Sequence, residues 1–271
     1  MTHPAFDFAR RAFLIAMLAF FLSPLLWLAT TAYKPSADIF SIPPRLAFTP
    51  TLDQFRNALR IFDVASLLES SLLIAGGSTL LSLLLGVPAG YALARSQARL
   101  AMGVAYFFMA IRMVPAVASL IPFYLMMRDA HLLGSWICVV LINAMLNSAF
   151  VTWMMFSYFR SVPKELEEAA LTDGCTQFGA FYKVALPAAR SGVIASALFC
   201  ILFAWNDFLY PMFLTRLDSK PLSVALLSAY GTKDITWGTL GALAHFSTIP
   251  IVLIVLALNR YFVTGVAKGV H

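Results

Sequence analysis

The sequence predicts an all-α membrane protein whose chain crosses the bilayer six times. Of its 271 residues, 61% are hydrophobic and only 12% are charged, about half the charged share of an average soluble protein. Apolar runs of about 20 residues, the length a helix needs to cross a bilayer, recur along the chain. Because a soluble domain of this size cannot bury so much apolar surface, an integral membrane protein is the class that remains.

Composition and charge exclude several other classes of protein. The three cysteines, Cys138, Cys175 and Cys200, are too few and odd in number for a secreted disulfide scaffold. An aromatic share of 14% is too high for a disordered chain. Although the formal charge is +6, the sequence contains no basic run of the kind that binds a nucleic-acid backbone. We therefore interpret the positive charge as flanking membrane spans and predict no nucleic-acid partner.

The first predicted span, residues 13–32, follows a short N-terminal segment at 1–12. A signal peptide is the alternative at this position, but the apolar run is longer than a signal sequence needs. Trp27 and Tyr33 also lie where an interfacial aromatic belt is expected. Residues 33–66 are polar and proline-rich, and they contain no run of span length. The other predicted spans are 70–94, 102–127, 136–158, 192–214 and 240–263.

An even number of spans places both termini on one side of the membrane. The predicted transmembrane domain covers residues 13–263 and leaves a short tail at 264–271. Lys and Arg residues are slightly more numerous on the side of the termini, which favours a cytoplasmic location for both. Gly86 and Gly90 form a small-xxx-small pair in the second span, which predicts the close approach of another helix.

The densest cluster of charge between predicted spans lies at residues 160–190. Pro163, followed by several glutamates, indicates a helix start, because acidic side chains are favourable near the positive end of a helix. Gly174 is predicted to end this helix in the left-handed conformation. A second short helix should follow and end at Pro187. Its predicted common face carries Phe178, Phe181, Tyr182 and Ala185.

This loop resembles the EAA loop of ABC importer permeases. Glu168-Ala169-Ala170, then Gly174, then Val184-Ala185-Leu186-Pro187 follow the family spacing Glu-Ala-Ala-x3-Gly-x9-Ile-x-Leu-Pro, with Val184 in place of Ile. Asp173 before Gly174 is similar to the Asp-Gly pair of the carbohydrate-uptake branch, which includes the smaller maltose permease subunit. Other segments similar to that branch are Trp205-Asn206-Asp207-Phe208-Leu209, Met113-Val114-Pro115, Ile121-Pro122, Leu132-Leu133-Gly134 and the C-terminal 265–269.

The resemblance implies a type I ABC importer permease in the bacterial inner membrane, with cytoplasmic termini and alternating access. It implies that 160–190 is a cytoplasmic coupling loop, while 33–66 and 215–239 are periplasmic and 215–239 reaches a substrate-binding protein. The residues it assigns to ATPase coupling are Glu168, Ala169, Ala170, Asp173, Gly174, Leu186 and Pro187.

The resemblance also implies partner proteins. These are a different second permease subunit, two cytoplasmic ATPase subunits and a periplasmic or lipid-anchored binding protein that delivers a sugar or polyol. The chain has no G-x-x-x-x-G-K-[ST] motif, so ATP and Mg are expected on the partner ATPase and no cofactor on this chain. An ATP-independent secondary transporter or channel for a small polar solute is the alternative function.

Two charges, Arg112 and Asp207, are predicted to lie well inside spans, where a charge at the bilayer centre costs at least ~2.5–3.5 kcal/mol. Either they line the substrate pathway, or the backbone or a nearby interface satisfies them. The further candidates for the pathway are Asn143, Asn147 and Asn206, which can bind hydroxyl groups, and Trp205. Trp205 and Tyr210 can stack on a sugar ring, with packing in the core as the alternative for both.

Metal and enzyme chemistry find no support in the sequence. His245, in the last span, is predicted to make a helix–helix hydrogen bond. Because there is no HExxH motif, no Cys/His cluster and no catalytic constellation, we predict neither a metal site nor an enzyme.

Overall fold

The computed structural model describes residues 4–97, 100–230 and 236–268. The predicted tail at 264–271 and the predicted loop at 215–239 therefore lie partly outside the described residues. The all-α prediction is confirmed, because the described residues form α-helices and one π-helical turn, Phe181–Ala185, and no strand. In chain order the helices are α1 (Pro4–Thr31), α2 (Ser36–Ile39), α3 (Asp53–Ile61), α4 (Val64–Arg95), α5 (Ala101–Ile111), α6 (Ala116–Asp129), α7 (Trp136–Ser161), α8 (Glu165–Thr172), α9 (Gln177–Ala180), α10 (Leu186–Ala188), α11 (Arg190–Asn206), α12 (Leu209–Leu214), α13 (Leu222–Ala229) and α14 (Trp237–Lys268).

Six membrane crossings are compatible with the described helices. Four stretches are long and apolar enough to cross alone: Arg10–Thr31, Val64–Arg95, Trp136–Ser161 and Trp237–Ala257. Two further pairs reach this length only together, each with a sharp bend. The pair α5 and α6 bends by 89°, and the segment Gln177–Ala188 bends by 74° against α11.

The chain divides into two compact units, and the first comprises Met1–Val64 and Leu226–Ile249. Its buried residues include Gln54, whose side chain donates to Ser36 Oγ (3.0 Å) and accepts from Thr236 Oγ1 (2.9 Å). His245 was predicted to bond between helices, but its Nδ1 lies 2.8 Å from Gly241 O of the same helix. With other segments His245 makes edge-on ring contacts to Tyr33 and Phe55.

The second unit comprises Ala65–Ala225 and Pro250–His271, and its core lies between α4 and α7. The predicted close approach at Gly86 and Gly90 is confirmed. A Cβ added at Gly86 would lie 2.6 Å from Val151 Cβ, and one at Gly90 would lie 2.7 Å from Met155 Cβ. Ser82 Oγ adds a hydrogen bond of 3.2 Å to Ala144 O.

Two predicted spans of this unit are broken rather than continuous. The span at 102–127 stops at Ile111 and restarts at Ala116, because Pro115 has no N–H group and disfavours helical geometry in the residue before it. The span at 192–214 is interrupted between Asn206 and Leu209. There Pro211 cannot donate to the carbonyl of Asp207, four residues earlier, and its ring would clash with that carbonyl in a continuous helix.

Candidate functional site

An open cavity of about 750 Å³ lies beside the two helix breaks. Arg112 caps the C-terminal end of α5, and Asp207 caps the C-terminal end of α11. Both charges thus lie at breaks in the helices rather than within a continuous helix, and their position inside the membrane spans stays a prediction. The residues that line the cavity are Ile111, Arg112, Val114, Ala116, Ser119, Phe123, Asn143, Met145, Leu146, Leu202, Phe203, Asn206, Asp207 and Tyr210.

Arg112 is held from two sides without a carboxylate partner in hydrogen-bonding contact among the described residues. Its Nη1 donates to Asn147 Oδ1 at 2.5 Å, and Asn147 is fully buried in α7. Its guanidinium carbon lies 3.9 Å from the ring centroid of Phe203, which is the geometry of a cation–π contact. Asn147 is not among the residues that line the cavity, so it orients Arg112 without lying on the cavity wall itself.

Asp207 is satisfied by one side chain and by the start of the next helix. Its Oδ2 accepts from Asn143 Nδ2 at 3.0 Å, and its Oδ1 accepts from the N–H of Leu209 at 3.1 Å. Pro211 has no N–H to donate to the backbone carbonyl of Asp207, and this carbonyl accepts from Ser223 Oγ at 2.7 Å instead. Asp207 and Asn143 therefore form a fixed polar pair on the cavity wall.

The other predicted pathway residues separate into two groups. Asn206 lines the cavity, and its Nδ2 donates to Leu202 O of its own helix at 2.8 Å. Trp205 is buried against Ala75 and Ala204 and is not among the cavity residues, so the structure gives it a packing position. Consecutive residues of α11 point about 100° apart, so Trp205 and Asn206 face different neighbours.

Ser119 and Phe203 are cavity residues that are absent from the predicted pathway, whereas Tyr210, considered for stacking on a sugar ring, does line the cavity. Tyr210 Oη lies 2.8 Å from Ser119 Oγ and joins α12 to α6. Ser119 was detectable as a polar residue in an apolar stretch, whereas Phe203 is one of many aromatic residues and carries no distinctive signal. With its amides, guanidinium, carboxylate, hydroxyls and apolar walls, the cavity can bind a polyhydroxylated solute.

The 160–190 loop forms a second candidate site. The predicted glycine turn is confirmed, since Gly174 has φ +88°. The amide of Cys175 donates to Ala170 O (3.0 Å) and that of Gly174 donates to Leu171 O (3.1 Å), so the turn satisfies carbonyls at the end of α8.

One face of this loop is exposed and partly apolar. Glu168 and Ala169 are exposed, and half of the Leu166 side chain is exposed as well. The predicted common face of the second helix is wrong in part. Phe178 and Tyr182 stack on each other and are exposed (ring centroids 6.5 Å apart), whereas Phe181 and Ala185 turn inward.

The opposite face of α8 is anchored by a buried ion pair that no sequence motif predicts. Glu167 Oε1 accepts from both Nε (2.9 Å) and Nη2 of Arg95, the last residue of α4, and its Oε2 accepts from Tyr91 Oη (2.7 Å). Burial tends to raise the pKa of the Glu167 carboxyl. The hydrogen bonds from Arg95 and Tyr91 and the charges of Arg95 and Lys164 outweigh burial, so the pKa lies below its ordinary value.

Comparison with known proteins assigns the chain to a family. Residues 55–268 match the family described as binding-protein-dependent transport system inner membrane component. The chain belongs to this family. It is thus a multi-pass inner-membrane permease subunit of a transporter, not an enzyme in its own right.

Full-length relatives agree with this assignment. A probable ABC transporter permease protein, y4oR of Sinorhizobium fredii, is 31% identical over 93% of this chain and 91% of its own. The trehalose transport system permease protein SugB of Mycobacterium tuberculosis is 30% identical over 96% and 98%. The sulfoquinovosyl glycerol transport system permease protein SmoH of Agrobacterium fabrum is 30% identical over 92% and 88%.

Solved structures show the same fold. A chain of a bacterial ABC transporter that imports the acidic polysaccharide alginate has a TM-score of 0.80 at 21% identity, covering 97% of this permease and 99% of that chain. An alginate ABC transporter in complex with an alginate pentasaccharide-bound periplasmic protein has a TM-score of 0.68 at 16% identity, covering 94% and 93%. At these identities the likeness concerns the fold of the permease.

No metal centre emerges from the side chains that are described. In the described ranges, no three His, Cys, Asp or Glu side chains come together in an arrangement that holds a metal ion.

Proposed function

We propose that this permease moves a sugar or polyol, delivered by a substrate-binding protein, through the cavity beside Arg112 and Asp207 by alternating access. The observation that carries the proposal is the cavity, because it combines polar groups at fixed positions with apolar walls at two broken helices. Broken helices are tolerated at membrane depth where they line a cavity, and they often hold the substrate site of transporters. The trehalose and sulfoquinovosyl glycerol permeases among the relatives support this substrate class.

Within the cavity the residues have separate roles. Asn143 and Asp207 present an amide and a carboxylate, which together donate to and accept from sugar hydroxyls. Asn206 adds an amide oxygen on the same wall. Arg112 presents its remaining N–H groups, and Asn147 acts behind it as a positioning residue. Trp205 packs in the core, so its role is structural and it does not contact the solute.

The energy for transport comes from partner subunits. α8 and the helical segment Gln177–Ala188 dock with their exposed face in a cleft of a cytoplasmic ATPase subunit that binds ATP and Mg. This face carries Glu168, Ala169, Phe178 and Tyr182. Two such ATPase subunits and a second, different permease complete the transporter. Closure of the ATPases then drives the loops together, and the cavity opens toward a loaded binding protein.

The test combines partner capture with uptake. A tag on this chain should co-purify an ATPase subunit, and proteoliposomes of the complex should take up a labelled sugar from a panel containing trehalose, diacetylchitobiose and sorbitol only with ATP and the binding protein. Asp207→Asn should alter the uptake kinetics, while Asp129→Asn, at an exposed carboxylate outside the cavity, should not.

Two results would contradict the proposal. Flux through vesicles that hold this chain alone, without ATP, would instead establish the ATP-independent transporter or channel. Unchanged uptake kinetics in Asp207→Asn would remove that carboxylate from the pathway and leave it a purely structural group.

A further inference from the structure

We propose that Tyr91, Arg95 and Glu167 form a latch that makes the coupling helix α8 move as one body with the cytoplasmic ends of α4 and α7. The proposal rests on the proposed function, since it concerns how motion of α8 reaches the cavity. The three residues face away from the exposed docking face of the loop. They are positioning residues and touch neither substrate nor nucleotide.

Arg95 joins three segments of the chain through one guanidinium. Besides its bonds to Glu167 in α8, its Nη1 donates to Phe159 O (2.8 Å) and its Nη2 donates to Val162 O (3.2 Å). These two carbonyls lie at the C-terminal end of α7, where helix carbonyls lack partners within the helix. A cation is also favourable at that end of the helix dipole. Arg95, which ends α4, therefore holds α7 and α8 together.

Glu167 is the residue through which α8 is held. Its side chain is only 9% exposed, and that of Arg95 is 15% exposed. Its neighbours Glu165 and Glu168 are exposed on the same helix. Because Glu167 alone of these three carboxylates is buried and bonded to Arg95 and Tyr91, α8 is fixed by one face and keeps the other for a partner.

The ring of Tyr91 extends the latch to the rest of the loop. It packs against Phe159 of α7 (centroids 5.2 Å apart) and against Phe181 of the π-helical turn (4.7 Å). Both short helical segments of the loop are thus bound to α4 and α7 by polar and aromatic contacts. A force on the exposed face of α8 reaches α4 and α7 directly, and these two helices pack on each other at Gly86 and Gly90.

The function of the latch can be measured without knowing the substrate. Met145, an exposed residue of the cavity wall, is replaced by Cys in a Cys175→Ser background, where the remaining described cysteines, Cys138 and Cys200, are buried. The complex captured with its ATPase is treated with a water-soluble thiol reagent, with and without ATP plus vanadate. The nucleotide effect is the ratio of the two labelling rates, and it reports motion of the cavity.

The decisive variant is Glu167→Gln, which keeps the shape of the side chain and removes its charge. We expect ATPase capture and ATP hydrolysis to persist, while the nucleotide effect falls roughly tenfold, as the loss of one charge-assisted contact implies. The matched control, Glu165→Gln, removes an exposed carboxylate from the same helix and should keep the full effect. Glu167→Asp, which restores the charge, should recover part of it.

The labelling ratios separate a failure of the latch from a failure of the proposed function. A nucleotide effect in Glu167→Gln equal to that of the Glu165→Gln control overturns the latch and leaves the proposed function standing. Absence of an ATPase or of any nucleotide effect in the parent chain overturns both. If Glu167→Gln does not assemble, Tyr91→Phe decides, because it removes one hydrogen bond and keeps the ring. A partial loss supports the latch, and an unchanged effect overturns it.

Discussion

The close contact between α4 and α7 predicts that a single methyl group added at Gly86 destabilises the chain. In Gly86→Ala the new Cβ would lie 2.6 Å from Val151 Cβ and 2.9 Å from Ser148 O. Carbon atoms pack at about 3.5–4.0 Å, so the two helices must separate by about 1 Å. The backbone oxygen of Ser148 cannot move aside by a change of rotamer. We therefore expect Gly86→Ala to destabilise the chain by about 1–3 kcal/mol, the usual cost of overpacking.

The same helix supplies a matched control. Gly76 has no heavy atom within 4 Å of the position that a Cβ would take. The methyl group of Gly76→Ala therefore meets no neighbouring atom. The substitution also reduces the backbone freedom of the unfolded chain, which stabilises the folded state by roughly 0.5–1 kcal/mol. The two Gly→Ala substitutions in α4 should consequently shift stability in opposite directions.

The assay is thermal unfolding of the purified chain in detergent, in a Cys175→Ser background, followed by the fluorescence of a thiol dye that reacts as the buried Cys138 and Cys200 become accessible. Gly86→Ala should lower the midpoint relative to the parent chain, and Gly76→Ala should leave it unchanged or raise it. Equal midpoints for the two variants would refute the close packing of α4 on α7 as the reason for glycine at position 86.

Three further predictions concern the loop and the cavity. Gly174→Val should leave membrane insertion intact but uncouple ATP hydrolysis from transport, because φ +88° disfavours a branched side chain; normal uptake would show that the turn is dispensable. The difference in stability between the parent chain and Glu167→Gln should shrink as pH falls. A carboxyl whose pKa is lowered by folding stabilises the fold above its ordinary pKa, and this contribution is lost as the carboxyl becomes protonated. A stability difference that is independent of pH from 7 to about 3 would contradict the ion pair. Asn143→Ala should weaken sugar uptake as Asp207→Asn does, since Asp207 loses a hydrogen-bond donor; additive effects of the two changes would show that they do not act as a pair.

Features that depend on local sequence were predictable. The glycine turn at Gly174 follows from the need for a positive φ after a helix, and the close approach at Gly86 and Gly90 follows from their spacing of four. Helical spans follow from apolar length alone. Each of these inferences uses residues within a single turn or a single span.

Features that depend on distant partners were not predictable. Glu167 is one of three closely spaced glutamates in α8, and nothing local distinguishes it from Glu165 or Glu168. Its partner Arg95 lies 72 positions earlier, so only the fold brings the two together. In the same way Trp205 and Asn206 are adjacent in a recognisable segment, yet one packs in the core and the other lines the cavity.

Asp207 shows how a break in a helix can satisfy a charge that the sequence places in a membrane span. A charge inside a continuous helix meets only side chains, because every backbone group there is already bonded within the helix. A break frees backbone groups that can serve the charge. Asp207 uses this directly, since its carboxylate accepts from the free N–H of Leu209 at the start of α12. Arg112, at the break before Pro115, is instead satisfied by the side chains of Asn147 and Phe203. Pro211, as much as Asp207 itself, therefore determines where this carboxylate is placed in the membrane domain. A search for transport sites in similar chains should therefore look for a charge within four residues of a proline rather than for a charge alone.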